Sequence, residues 1–174
     1  ALYRAAGYGH TRIVSILLDD HRVDPNYLIG GKTALMHASM KDRTNVVELF
    51  LNHSRVNANF AHDDGETAFF IACGGDPDKK LGYVSTVQVF LDNQQQEIDF
   101  NVTCPGSRWG EGTALNNAVS MGHLDVVRLL VQDPRIDVNH GSILHRFANG
   151  VTPLHTAARG WDVEEYDRDS MKER

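Results

Sequence analysis

The chain has 174 residues, 41% hydrophobic and 23% charged, with 17 Lys plus Arg against 23 Asp plus Glu and a formal net charge of -6. That composition is globular rather than disordered, and it lacks the basic excess with which duplex-binding modules displace counterions, so no nucleic-acid partner is expected. Two cysteines, Cys73 and Cys104, are too few for a disulfide scaffold, the longest apolar run, Ala68 to Cys73, is far short of a membrane span, and no secretory signal opens the chain.

The first residues already lie inside a helical pattern. Ala1-Leu2 leads to a small pair, Ala5-Ala6, then to Gly9-His10 and the apolar stripe Ile13-Val14-x-Ile16-Leu17-Leu18. The same order returns three times. Thr33-Ala34-Leu35 is followed by Ala38-Ser39, Asp42-Arg43 and Val46-Val47-x-Leu49-Phe50-Leu51. Thr67-Ala68-Phe69 leads through Ala72-Cys73 and Gly82-Tyr83 to Val87-x-Val89-Phe90-Leu91. Thr113-Ala114-Leu115 leads through Ala118-Val119 and Gly122-His123 to Val126-Val127-x-Leu129-Leu130-Val131. A last copy, Thr152-Pro153-Leu154, has its small pair Ala157-Ala158 but no clear stripe after it. The turn asparagines Asn26, Asn59, Asn101 and Asn139 follow the four stripes.

Threonines at 33, 67, 113 and 152 are spaced by 34, 46 and 39 residues. Every excess residue falls between elements and none inside a stripe, as decorated loops in a true repeat require. Each unit reads as two short helices. The threonine side chain caps the free amides of the first helix. The small pair keeps one of its faces thin, and Gly or Asp takes the left-handed conformation that ends it. The stripe gives the second helix a wide apolar face, with Leu129 expected buried. Helix pairs this short share a core by stacking.

These residues resemble ankyrin repeats across roughly residues 1–162. Thr152-Pro153-Leu154-His155 is the family tetrapeptide intact, and Gly122 to Leu130 is close to the family's second half. The other tetrapeptides end in Met36, Phe70 and Asn116, so the hydrogen bonds of the family histidine are expected to be lost there. The resemblance implies an all-α solenoid of about five stacked helix-turn-helix units joined by β-hairpin-like loops. The units fall at about 1–30, 31–64, 65–111, 112–149 and 150–174. The last is degenerate, read either as a capping helix or as a fraying tail. Leu2, Ile13 and Ile16 would face an absent neighbour, so the chain is expected to be a fragment with further repeats upstream.

No catalytic constellation is found. Nine histidines show no helical i, i+4 pair beside a carboxylate, so no metal is expected. Gly106-Ser107-Arg108-Trp109-Gly110 lacks the order and preceding strand of a nucleophile elbow, and Gly106 to Gly112 lacks a phosphate-loop lysine. Cys73 is expected buried and Cys104, in a long loop, exposed. The resemblance implies a non-catalytic interaction module, monomeric and without cofactor, that binds another protein through hairpin tips and the concave surface of the inner helices. By position this nominates Lys32, Glu66 and Val151 before the threonines, and Tyr8, Met40, Lys41, Ser120, Met121 and Arg159 near the inner-helix ends. Arg108 and Trp109 join them because Trp and Arg are favoured interface anchors. A regulatory or substrate-recruiting domain of a larger multidomain enzyme is the alternative. A third reading makes the turn asparagines substrates of an asparaginyl hydroxylase. The expected compartment is the cytoplasm, with the nucleus also open. The charged, breaker-rich segment Gly74 to Leu81 makes Lys79 and Lys80 the expected first tryptic sites, together with the tail beyond Arg168.

Overall fold

The computed structural model describes residues 1–75, 82–105, 112–140 and 152–158. Among these residues the secondary structure is nine short α-helices and three isolated antiparallel bridges. The inner row comprises α1 (Leu2–Tyr8), α3 (Ala34–Met40), α5 (Ala68–Gly74), α7 (Ala114–Ser120) and α9 (Pro153–Ala158). The outer row comprises α2 (Thr11–Asp19), α4 (Thr44–Leu51), α6 (Val84–Asp92) and α8 (Leu124–Gln132). Within each row, successive helices pack side by side, and each outer helix packs on the inner helix that precedes it. This is the expected all-α stack.

The threonines start the inner helices as their chemistry dictates. Thr33, Thr67 and Thr113 are extended at the N-cap, and their hydroxyls accept from the amides of Met36, Phe70 and Asn116. Two of the three lost family histidines are replaced. Asn116 Oδ1 accepts from the Thr113 amide at 3.2 Å, and Met36 Sδ accepts more weakly from that of Thr33 at 3.5 Å. Those expected losses are therefore corrected: a side chain of similar reach closes the capping box. The inner helices end where the backbone turns left-handed, at Gly9, Asp42 and Gly122, with φ of 78°, 53° and 70°. Asp42 tolerates this as Asn and Asp do. Its carboxylate accepts from the Thr86 hydroxyl at 2.7 Å, and Thr86 also pairs with Thr44.

The core runs continuously between the rows. Phe50, Phe69, Phe70 and Phe90 are fully buried, each contributing roughly 1.5–3 kcal/mol over its exposed state. Phe69 meets Phe90 and Phe100 edge to face, at centroid distances of 5.6 and 4.8 Å. The outer helices show how the stripe divides its work. Interior helices bury four stripe positions: Val46, Val47, Phe50 and Leu51 in α4, and Thr86, Val87, Phe90 and Leu91 in α6. At the ends only two are buried. In α2 these are Val14 and Leu18, aligned with Val47 and Leu51. In α8 they are Val126 and Leu130, aligned with Val46 and Phe50. One pair thus faces the following unit and the other the preceding one.

Three expectations change. Leu129 is half-buried, like its counterparts Leu49 and Val89, because it lies between the two packing directions; Leu130 is the fully buried residue. Leu2 is buried, as are the aligned Leu35, Phe69 and Leu115, although no unit precedes it among the described residues. Cys104 is buried as well, and its thiol donates to the Gly65 carbonyl at 3.0 Å.

Candidate interaction surface

A stack of helix pairs presents a usable surface only if successive units are held in register, and three sets of polar contacts do this. At the start of α4, α6 and α8, a long polar side chain donates to a carbonyl near the end of the inner helix of the unit before. Arg43 Nε reaches Gly7 O at 2.9 Å, Tyr83 Oη reaches Met40 O at 3.3 Å, and His123 Nε2 lies 2.9 Å from Gly74 O. After α4, α6 and α8, a second donor reaches back to the end of the preceding outer helix or the turn that follows it. Arg55 bonds the carbonyls of Leu18, Asp20 and Val23, Gln96 bonds Leu51 O, and Arg135 bonds Leu91 O. Of these, the carbonyls of Leu18, Leu51 and Leu91 lie in the last turn of their helices, where carbonyls have no helical partner.

The third set is the ladder of turn asparagines. Asn26 Nδ2 donates to Arg55 O at 2.8 Å while its Oδ1 accepts from the Asn57 amide at 2.8 Å. Asn59 does the same to Glu97 O and the Asp99 amide, and Asn101 to Arg135 O and the Asp137 amide. Each asparagine amide is itself held by the residue two before it, Asp24, Asn57, Asp99 or Asp137. The spacing Asp/Asn-x-Asn, four times in the sequence, was the signal for this staple; asparagine read as a turn residue alone does not reveal it.

The hairpin tips stand above this framework. Gly30 and Gly31, both at positive φ, turn the chain so that Ile29 pairs with Lys32. Lys32 Nζ meets Glu66 Oε2 at 2.9 Å, joining neighbouring hairpins. Glu66 is buried, so it anchors the tip and offers no surface, while Lys32 remains half-exposed. Beside it, His62 Nδ1 lies 2.6 Å from Asp64 Oδ1. Burial alone would raise the Asp64 carboxyl, but the Glu66 amide and His62 outweigh it and hold the group below the usual range.

Along the inner row, Tyr8, Lys41 and Met121 occupy aligned positions just past the buried helix interiors. Tyr8 is 60% exposed, Lys41 is exposed and Met121 half-buried. Met40 and Ser120, one position earlier, are half-buried. The Arg4 guanidinium stands 6.0 Å from the Tyr8 ring centroid. Where the preceding residue is glycine, the next unit leans in. Gly7 lies under His37, whose ring stacks on Tyr3 at 4.0 Å, and Gly74 lies under Asn117. Arg108, Trp109, Val151 and Arg159, with the tryptic sites Lys79 and Lys80, lie outside the described residues.

Little chemistry is available on this frame. Among the described residues no group of three His, Cys, Asp or Glu is placed to hold a metal ion, and no helix is long and apolar enough to cross a membrane. Burial pushes the Cys73 thiol well above its ordinary range and that of Cys104 to about 12, so neither is a thiolate near neutrality. A family model described as ankyrin repeats in three copies matches residues 2–104 and 78–165. Among curated proteins, none matches the chain.

Proposed function

The chain belongs to the ankyrin-repeat family, and from that premise we propose that it is a non-catalytic module that binds another protein along its inner-helix row and hairpin tips. Ankyrin repeats are in general protein-interaction modules, and a solenoid's repetition extends one continuous surface for such binding. One observation carries the reading. The framework positions repeat their chemistry from unit to unit: threonine caps, small pairs and seam asparagines. The aligned outward positions of the inner row carry Tyr8, Lys41 and Met121, which share neither charge nor shape. A surface fixed in geometry and varied in chemistry is suited to recognising one partner among many.

The test compares captured proteins from a cell extract for the parent and two double variants. Tyr8→Glu with Lys41→Glu alters the inner row, and Glu48→Lys with Arg128→Glu alters exposed outer-helix positions. Loss of specific captured proteins with the first variant and retention with the second is expected. The opposite pattern would move the binding surface to the outer helices.

A further inference from the structure

We infer that the inner-helix ends of the first two units, Tyr8 with Met40, Lys41 and Arg43, receive an extended acidic peptide segment of the partner. The inference rests on the inner row being the binding surface, and it names the chemistry recognised there. Charge is divided between the two rows. Each outer helix carries an exposed carboxylate, Asp19 in α2, Glu48 in α4, Asp92 in α6 and Asp125 in α8, whereas α1, α3, α5, α7 and α9 contain no Asp or Glu. The carboxylates nearest the inner row are already engaged. Asp42 Oδ1 accepts from the Thr86 hydroxyl of α6 at 2.7 Å, Glu66 is buried against Lys32, and Asp64 is held by His62. Asp63 is exposed, but on a hairpin tip, at the opposite end of the inner helices from Lys41.

Within this field the geometry builds a spot that is both cationic and aromatic. Arg43 Nε donates to Gly7 O at 2.9 Å, and its Cδ lies 3.1 Å from where a Cβ at Gly9 would stand. Glycines on both sides of Tyr8 thus let the Arg43 side chain lie against the end of α1, where Tyr8 itself is 60% exposed. Arg43 remains exposed, and its two terminal nitrogens have no hydrogen-bond partner among the described residues. A guanidinium held in this way presents paired N–H groups to a carboxylate. Lys41 closes α3 one unit along, exposed and in no ion pair among the described residues, with Met40 half-buried beside it. Neighbouring helices pack about 8–10 Å apart and an extended chain advances about 3.3 Å per residue, so about three peptide residues span one unit. A segment that repeats two acidic residues and one apolar residue therefore sets carboxylates at Arg43 and Lys41 and apolar side chains at Tyr8 and Met40. Two fixed cations with acidic outer helices behind them suit a short acidic stretch, whereas the outer row repels a long polyanion.

The test uses the whole chain and three fluorescein-labelled peptides, repeats of Glu-Glu-Leu, Gln-Gln-Leu and Lys-Lys-Leu, read by anisotropy, with hydrogen exchange locating the contact. Expected are saturable binding of the Glu peptide that added salt weakens, and slowed exchange at residues 7–9 and 40–43. The Gln peptide should bind about tenfold more weakly, and Lys41→Glu should weaken the Glu peptide about tenfold. Arg128→Glu on the outer row should leave it unchanged; both substituted residues are exposed, so neither change removes core packing. Equal binding of the Glu and Gln peptides, tighter binding of the Lys peptide, or a Lys41→Glu chain that binds as the parent does would overturn the inference. So would a single-stranded oligonucleotide or a phosphoserine peptide bound more tightly at the same residues, because the anion read there would then be phosphate. Failure of every peptide removes the acidic assignment alone; the inner row as binding surface fails separately, if extract capture survives Tyr8→Glu with Lys41→Glu.

Discussion

Replacing Asn59 by alanine removes both bonds with which one seam is stapled: Nδ2 to Glu97 O at 2.6 Å, and the Asp99 amide to Oδ1 at 2.9 Å. A neutral hydrogen bond contributes about 0.5–1.5 kcal/mol net. Both partners sit at an exposed turn where water can partly replace the lost group, so the pair should be worth about 1–2 kcal/mol. Asn59→Asp separates the two halves. It keeps the acceptor for Asp99 but turns a second acceptor toward the Glu97 carbonyl, so it also destabilises. Relative to the parent it should recover below about pH 4, where a protonated carboxyl donates again. The assay is urea unfolding followed by helical circular dichroism, with hydrogen exchange at residues 97–101, because a seam in a stacked array can open without global unfolding. An unchanged midpoint together with unchanged exchange at Asp99 would refute the staple.

Leu130→Ala should cost about 2–5 kcal/mol and Leu129→Ala clearly less, since only the first side chain is fully buried; equal losses in urea would reject the packing directions assigned to α8. Gly7→Ala places a Cβ 2.3 Å from the His37 ring and should cost about 1–3 kcal/mol, with His37→Ala relieving it in a double-mutant cycle; additive losses would deny the contact. The Arg135 side chain holds the Asp133 carboxyl below its ordinary value, so this pair adds stability above the unfolded carboxylate range, near pH 3.9, and loses it as pH falls through the lower folded value. Asp133→Asn should therefore flatten part of the acid-side decline of thermal stability, and an unaltered decline would contradict it. Cys73 and Cys104 should resist iodoacetamide at neutral pH until the chain unfolds, and rapid alkylation of native protein would contradict their burial.

The sequence made the helices legible because their signals are local. Thr33, Thr67 and Thr113 stand one residue before the helices they cap, and the apolar stripes coincide with the outer helices. Side-chain placement was harder to read where it depends on distant residues. Cys104 is buried by a bond to Gly65, 39 residues earlier. Leu129 and Leu130 are equivalent in composition and differ only in their place on the helix, Leu130 toward the preceding unit and Leu129 between the two packing directions. Glu66 looked like a surface charge before its threonine, but it is buried against Lys32 of the previous hairpin. The inner-row positions Tyr8, Lys41 and Met121 followed from alignment of the units alone, because exposure there is set by a helix end that each unit repeats.

Site-specific photo-crosslinking addresses the interaction surface most directly. A benzophenone side chain is introduced singly at Tyr8, Lys41 and Met121 on the inner row, and at Glu48 and Arg128 on the outer helices, and each chain is irradiated in extract. Protein adducts formed from the inner-row positions, with few from the outer ones, are the expected result. Adducts of the same partner arising chiefly from Glu48 and Arg128 would contradict it.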